Sequence, residues 1–307
     1  MVAFARRRMN TEYLQFRAIG LLARILPRGL AYWIGARLSD ARFPHQPGLA
    51  AALVANFRRI LEFQGARVTN RELEELARAT CRNFGRHLAD LFHFTRMSRR
   101  QVGRLFTFEG LEHVDAALAL GKGIIALSAH LGSYELTIAS LTALGYPLTA
   151  VSLPMKDPKT DALFERRRRM HCKHLVPLGG SVRAALEALR RNETVCLMID
   201  MDFMPRMGMV RFFGAPARMP MGPARLAAMT GAPLMPGFVH QRPGGRYFFR
   251  IHPPILPGPG STPESLEERI VAVLEREILE DPTQWFAFVD FWNPEASLTM
   301  ARESMGT

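Results

Sequence analysis

The residues best suited to chemistry lie in the stretch His130-Leu-Gly132-Ser-Tyr-Glu135, which follows the apolar run 123–129. A neutral imidazole is the usual general base near pH 7. A carboxylate on one ring nitrogen fixes the tautomer, and the other nitrogen is then free to take a proton from a hydroxyl. That hydroxyl can attack an acyl carbonyl, so that the substrate's own oxygen replaces a serine nucleophile. His130 and Glu135 are five positions apart, about 500° on an ideal helix, so they do not share a helix face. They meet only if His130 sits in the turn before the helix and its ring folds back onto Glu135. Gly132 allows a close backbone approach at that corner. The helix N-terminus beside it favours a phosphate or a developing oxyanion. Taken alone, His-x4-Glu is a weak signature, since a histidine capping a strand end has the same appearance.

Other segments carry reactive types. Arg166, Arg167, Arg168 and Arg169 are consecutive, so on a helix they cover every face and some are solvated. Asp200 and Asp202 follow an apolar strand, where parallel sheets place their sites. Two carboxylates so spaced can bind a divalent metal, but a turn with its side chains on backbone amides or an arginine is the better reading. Met198, Met201, Met204, Met207 and Met209 suit core filling or the wall of an acyl-chain groove better than copper, because Pro205 and Gly208 break a single ligand face. His171, Cys172 and His174 lack a fourth zinc ligand at a suitable spacing. Ser128, Ser133 and Ser181 lie outside any Gly-x-Ser-x-Gly elbow, which disfavours a serine hydrolase.

The elements that must position these residues fall into two regions. Residues 1–100 read as helical. A helix spans Leu14 to Arg28, a second runs from about Leu49 to Gln64, and Thr69-x-x-Glu72 is a capping box opening a third toward His93. In the first of these, Arg17, Arg24 and Arg28 form a narrow stripe beside a broad arc of Leu14, Ala18, Ile19, Leu21, Leu22, Ile25 and Leu26, the pattern of a helix lying in a membrane interface. From residue 101 to 307 short apolar runs alternate with amphipathic helices: strand 123–129, helix 131–144, strand 148–153, helix 158–172, strand 175–177, helix 182–191 and strand 195–199. A late helix starts at Thr262-Pro263-Glu264 and ends near Asp281-Pro282. The expected class is α/β, a mostly parallel central sheet flanked by helices with an N-terminal helical, membrane-associating extension, and the two regions could form one continuous domain.

The chain has 307 residues with 40 Lys+Arg against 28 Asp+Glu, a net charge of +12, and 48% hydrophobic residues. This is a globular composition with an anionic partner implied. Ten arginines against Glu12 and Asp40 lie between Met1 and Arg59. Arg24 and Arg28 interrupt any apolar run near the roughly 20 residues of a membrane span, and the run 136–155 is broken by Gly145-Tyr146-Pro147. A secretory signal is not expected, because Arg17 and Arg24 sit inside the apolar part. Three scattered cysteines exclude a disulfide scaffold and suit a reducing compartment. A nucleic-acid-binding module is the rival class, but the arginines lack the aromatic interleaving of a strand-binding platform.

The segment HLGSYEL after a Gly-Ile-Ile-Ala strand resembles the His-x4-Asp/Glu signature of the glycerophosphate and lysophospholipid acyltransferase superfamily. It is most similar to the branch of bacterial lipid A biosynthesis late acyltransferases, the lauroyl and myristoyl transferases. DPKTDALFERRRRM, LEALRRNETVCLMIDMDF, VRFFGAPARMPMGPARLAAMTGAPLMPGF and DPTQWFAF resemble further family blocks in the same order, so the likeness covers roughly residues 14–288. Two departures stand out: Asp200-Met201-Asp202 replaces the usual Asp-Gln-Asp, and Val289-Asp290-Phe291-Trp292 replaces an ending with a basic residue. The resemblance implies an O-acyltransferase at the cytoplasmic face of the bacterial inner membrane, peripheral or monotopic. The donor would be acyl carrier protein or acyl-coenzyme A, with no cofactor or metal. The acceptor would be a lipid A precursor, or alternatively a lysophospholipid, an ornithine-type lipid, a glycolipid or a pigment ester. His130 would be the base and Glu135 its orienting carboxylate. Arg168 or Arg169 would hold phosphate or oxyanion, and Gly132, Asp200 and Asp202 would shape the substrate site.

Overall fold

The apolar runs become strands because β-branched and aliphatic side chains fill both faces of a buried sheet, and the amphipathic segments between them cover those faces. The computed structural model describes residues 2–94, 97–152, 155, 157–172, 174–177, 181–201 and 207–293, with the backbone alone for 2–12, 181 and 207. Its helices are α1 (Val2–Ile25), α2 (Arg28–Arg42), α3 (Pro47–Phe63), α4 (Asn70–His93), α5 (Arg99–Leu105), α6 (Glu112–Leu118), α7 (Glu135–Leu144), α8 (Pro158–Arg168), α9 (Ser181–Arg190), α10 (Gly222–Thr230) and α11 (Pro263–Glu280). Its strands are β1 (Phe106–Glu109), β2 (Ile124–Ser128), β3 (Leu148–Ser152), β4 (His174–Pro177), β5 (Thr194–Met198), β6 (Met207–Phe212), β7 (Ala215–Pro220), β8 (Leu234–Arg242) and β9 (Arg246–Ile251). Seven strands form one sheet in the order β1-β9-β8-β2-β5-β3-β4, while β6 and β7 make a separate antiparallel hairpin. Every pair in the large sheet is parallel except β8–β9.

This is the α/β architecture read from the sequence. Core residues of α9, α10 and α11 pack with Ile125, Leu127 and Val195 on one face. Those of α5, α6 and α7 pack with Ile124, Leu148 and Ala150 on the other. Helix starts follow their caps. Thr69 and Glu72 form the expected box, Ser98 and Gln101 another, and Asp157 caps the Thr160 amide at 3.0 Å. Among the described residues no helix is long and apolar enough to cross a membrane.

Three boundaries differ from expectation. The helix expected across 14–28 breaks at Pro27, which lacks an N–H and restrains the residue before it. Arg28 therefore opens α2 and turns inward rather than joining a solvated stripe. Its Nη2, which carries two hydrogens, stands within hydrogen-bond distance of Tyr32 Oη (2.6 Å), Asp90 Oδ1 (3.1 Å), the Gly245 carbonyl (3.0 Å) and Tyr247 Oη (2.6 Å), tying α2 and α4 to β9. The helix expected from Leu131 starts only at Glu135, because Leu131 bridges Trp285 and Gly132 bridges Val239. The helix expected to reach Cys172 ends at Arg168.

Helix α4 joins the helical region to the sheet. It packs against α1, α2 and α3. On its other side Asn83 Nδ2 donates to Thr283 Oγ1 (2.9 Å), and the Asn83 carbonyl accepts from Gln241 Nε2 (3.3 Å).

Candidate active site

The corner after β2 is built from main chain before any reactive side chain is placed. Gly132 has φ +58, and a Cβ there would lie 2.1 Å from the Val239 carbonyl oxygen, so only glycine fits. Its amide donates to the Gln284 carbonyl (2.8 Å), while the Phe286 amide donates to the His130 carbonyl (2.8 Å). Gln284 is itself fixed: its Oε1 accepts from the Gln241 amide (2.7 Å), and its Nε2 donates to Asp281 Oδ2 (2.7 Å) and the Gln241 carbonyl (3.1 Å). The closing Gln-Trp segment thus clamps the histidine turn against β8. Gly132 is expected from the sequence to permit a close backbone approach here and to help shape the substrate site, and the close approach is what its position against Val239 provides. The residue is buried and its amide is already bonded, so it shapes the corner sterically.

His130 does protrude from the turn ahead of the helix, but its ring does not fold onto Glu135. Nδ1 lies 2.9 Å from Asp200 Oδ1. Asp200 Oδ2 accepts from the His130 backbone amide (2.9 Å) and from Trp285 Nε1 (3.0 Å). The reason is the register of the sheet. Strand β5 lies beside β2 with Ser128 opposite Met198, and two further residues on each strand bring His130 opposite Asp200. Asp200 is fully buried. Burial alone would raise its pKa, but the His130 ring and the three hydrogen bonds more than offset this and hold the carboxyl below its ordinary value. His130 stays partly exposed, and its Nε2 has no partner among the described residues.

Glu135 is engaged elsewhere. Arg168 Nη2 and Nε donate to its Oε1 at 2.6 and 3.0 Å, a forked pair. Burial would raise the Glu135 pKa, yet Arg168 lowers it, with lesser contributions from His87 and His130. Arg168 Nη1 is left unbonded among the described residues. Of the two arginines left open by the sequence, Arg168 is therefore the one beside the site. Arg169 is exposed and pairs with Glu165 (2.6 Å) one turn back. Asp202, Met204 and the Met207 side chain lie outside the described residues, while Met201 packs against the core and Met209 is exposed.

Two partners escaped the sequence reading. Trp285 was inside a quoted segment, but only the fold shows its indole reaching Asp200. His87 on α4 stacks on Tyr134 with ring centroids 4.4 Å apart, and Tyr134 meets the His130 ring edge-on at 5.0 Å. Burial lowers the His87 pKa to about 4, so its ring is neutral near pH 7. No local spacing signals either contact, because each joins elements far apart in sequence.

The arrangement offers an oriented imidazole with one free nitrogen, a buried carboxylate holding the other, and an adjacent guanidinium. The amides of Tyr134, which caps α7, and of Glu135, its first residue, make no hydrogen bond to described residues, and the helix terminus favours negative charge. This set can deprotonate a hydroxyl and stabilise an oxyanion.

Comparison with known proteins shows which family the chain resembles. The family model described as bacterial lipid A biosynthesis acyltransferase matches residues 3–293. The chain is 30% identical over 267 residues to a phosphatidylinositol mannoside acyltransferase of Mycobacterium tuberculosis, covering 84% of this chain and 82% of the relative. It is 27% identical over 284 residues to the protein of that description in Mycolicibacterium smegmatis, 90% of each chain. It is also 27% identical over 158 residues to a lipid A biosynthesis acyltransferase of Haemophilus influenzae, covering 51% of this chain and 50% of that protein.

Proposed function

The chain belongs to the bacterial lipid A biosynthesis acyltransferase family, an enzyme family acting on lipid acceptors, and from that premise we propose that it moves a fatty acyl group from a thioester donor to a sugar hydroxyl of a phosphate-bearing glycolipid. The donor is acyl carrier protein or acyl-coenzyme A. The acceptor is a mannosylated phosphoinositide or a lipid A precursor; the relatives named for the former align over most of their length and favour it. The observation that carries the reading is the Asp200–His130 hydrogen bond.

In the proposed sequence Asp200 holds the Nδ1–H, so Nε2 carries the lone pair that takes the acceptor proton as the oxygen attacks the thioester carbonyl. The C–O bond forms and a tetrahedral oxyanion results. Arg168, positioned by Glu135, and the α7 amides stabilise that charge. Collapse breaks the C–S bond, and His130 returns the proton to the departing thiolate. The roles differ from expectation in one respect: Asp200 orients the base, and Glu135 positions the arginine.

Localisation follows the same reading. Leu14, Leu21, Leu22, Ile25, Leu30, Trp33 and Leu38 of α1 and α2 are exposed large hydrophobics interspersed with arginines, a surface suited to the cytoplasmic face of the inner membrane without crossing it. The test is mass spectrometry of acceptor lipids incubated with the full-length chain and an acyl donor. Wild type adds one acyl mass to one acceptor class. His130→Ala loses at least about a thousandfold in rate with unchanged circular dichroism. Activity within a few-fold of wild type would refute His130 as the base.

A further inference from the structure

The four consecutive arginines at the end of α8 have different fates. Arg168 turns to Glu135 and Arg169 to Glu165, whereas Arg166 and Arg167 have no acidic partner among the described residues. Arg167 is the unusual one. It is only 6% exposed. Its Nη1 donates to the Phe92 carbonyl at 3.3 Å, and its guanidinium stands 5.3 Å from the Phe92 ring centroid. A cation withdrawn from water ordinarily meets a carboxylate. Here the neighbouring charges are Arg24, in the last turn of α1, and Arg166, both exposed. Burial, Arg24 and Arg166 all push the Arg167 pKa down, to about 10.

The seam that gathers these groups is well packed. Phe16 of α1 meets Phe164 of α8 edge-on at 5.0 Å, Phe164 meets Phe92 of α4 at 5.8 Å, and Ala23 is buried beside them. Packing of α1 against α8 around Ala23, Phe92 and Phe164 thus sets the helix positions of Arg24 and Arg166 beside the buried Arg167, and no described acid pairs with any of the three. We propose that Arg24, Arg166 and Arg167 form an anion site for a phosphate group, separate from the one at Arg168, which lies about 100° around the helix. The shared chemistry is phosphate, and its two sources are the phosphodiester of a membrane lipid and free inorganic phosphate. The membrane source is favoured because Arg24 lies among exposed Leu21, Leu22 and Ile25, which places the site at the level of lipid headgroups. Guanidinium forks suit phosphate oxygens.

The test reads binding alone and needs no turnover, so its outcome is independent of the acyl-transfer assignment. Full-length chain is sedimented with phosphatidylcholine vesicles containing phosphatidylglycerol. In parallel, its thermal midpoint is followed in sodium phosphate against sodium chloride of equal ionic strength. Arg24→Gln and Arg166→Gln remove exposed side chains and leave the fold intact, and Arg167→Gln removes the buried member. Arg225→Gln on α10, exposed and unpaired among the described residues, is the charge-matched control. Each site variant should weaken anionic-vesicle binding about fivefold or more, and the control less than twofold. A phosphate-specific rise in the midpoint that Arg24→Gln abolishes assigns free phosphate as a ligand. A vesicle response without that rise assigns the lipid phosphodiester. Equal losses in Arg24→Gln, Arg166→Gln and Arg225→Gln, or no loss in any, overturn the site.

Discussion

Asp200→Asn is the perturbation that most directly examines the histidine's orientation. The new side chain has one carbonyl oxygen and one amide nitrogen in place of two equivalent oxygens. Two donors, the His130 amide and Trp285 Nε1, converge on the Oδ2 position, and one ring nitrogen faces Oδ1. Placing the NH2 toward the two donors would orphan two buried N–H groups, at about 1–3 kcal/mol each. The carbonyl therefore keeps the Oδ2 position, and the NH2 faces His130 Nδ1. That nitrogen must then accept, the proton moves to Nε2, and the nitrogen facing the acceptor hydroxyl can no longer act as a base. Loss of the correct tautomer in this way costs about four orders of magnitude in kcat. The assay is single-turnover acyl transfer at saturating donor, with KM followed separately and folding checked by circular dichroism. KM should move little, because Asp200 is fully buried behind the His130 ring and offers no surface to a ligand. Glu135→Gln provides the contrast. It loosens Arg168 without altering the histidine tautomer and should lower the rate by about ten- to a hundredfold, in the range of one lost electrostatic contact. A rate for Asp200→Asn within tenfold of wild type, together with a far larger loss in Glu135→Gln, would refute the assignment and restore Glu135 as the orienting acid.

Other positions give separate expectations. His87→Phe keeps the stack on Tyr134, so acyl transfer should stay within a few-fold of wild type with an unshifted pH profile; His87→Ala leaves a cavity and should lower stability in denaturant titration by about 3 kcal/mol. Leu21→Ser, Ile25→Ser and Trp33→Ser combined should reduce vesicle binding at least about a hundredfold, since each exposed side chain contributes about 1.5–3 kcal/mol when it enters the interface, with the thermal midpoint unchanged. Glu267 is buried with no partner on either oxygen among the described residues, and burial raises its pKa to about 8. Its folded pKa exceeds the unfolded one, so the native state binds the extra proton and loses stability as pH rises from about 4.5 to 8; Glu267→Gln should stabilise by about 3 kcal/mol at pH 7 and by almost nothing at pH 4, read from denaturant midpoints across that range.

Local spacing revealed the elements whose determinants are local. The capping box at Thr69, the helix starts at Pro158 and Thr262 and the apolar run of β2 are set by residues within a turn or two, and each forms as read. The β6–β7 and β8–β9 hairpins were not foreseen. Strand β8 is buried along almost its whole length, so it lacks the alternation that marks a half-exposed strand. Pro27 carried a legible helix stop, but the arginine periodicity around it suggested continuity, and periodicity alone does not tell a solvated guanidinium from one held by Asp90 and Tyr247.

The site shows the same division more sharply. His130 and Glu135 stand on one short segment and were both visible, but the nearness that suggested a pair also misdirected it. An acid five positions on, at the start of a helix, faces along that helix, where Arg168 meets it. The acid that reaches the ring comes from a strand 70 positions away. It does so because β5 is inserted beside β2 and both chains leave the sheet in the same direction. A parallel pair in register brings the residue just past one strand's end opposite its counterpart on the next. The apolar runs ending at His130 and at Asp200 therefore carried the information once their adjacency was known. What the linear pattern lacks is strand order, which depends on how helices pack across the sheet. A side-chain pair divided between neighbouring strands becomes readable only at the level of topology, whereas each member's position at a strand's carboxyl end is readable from hydrophobicity alone.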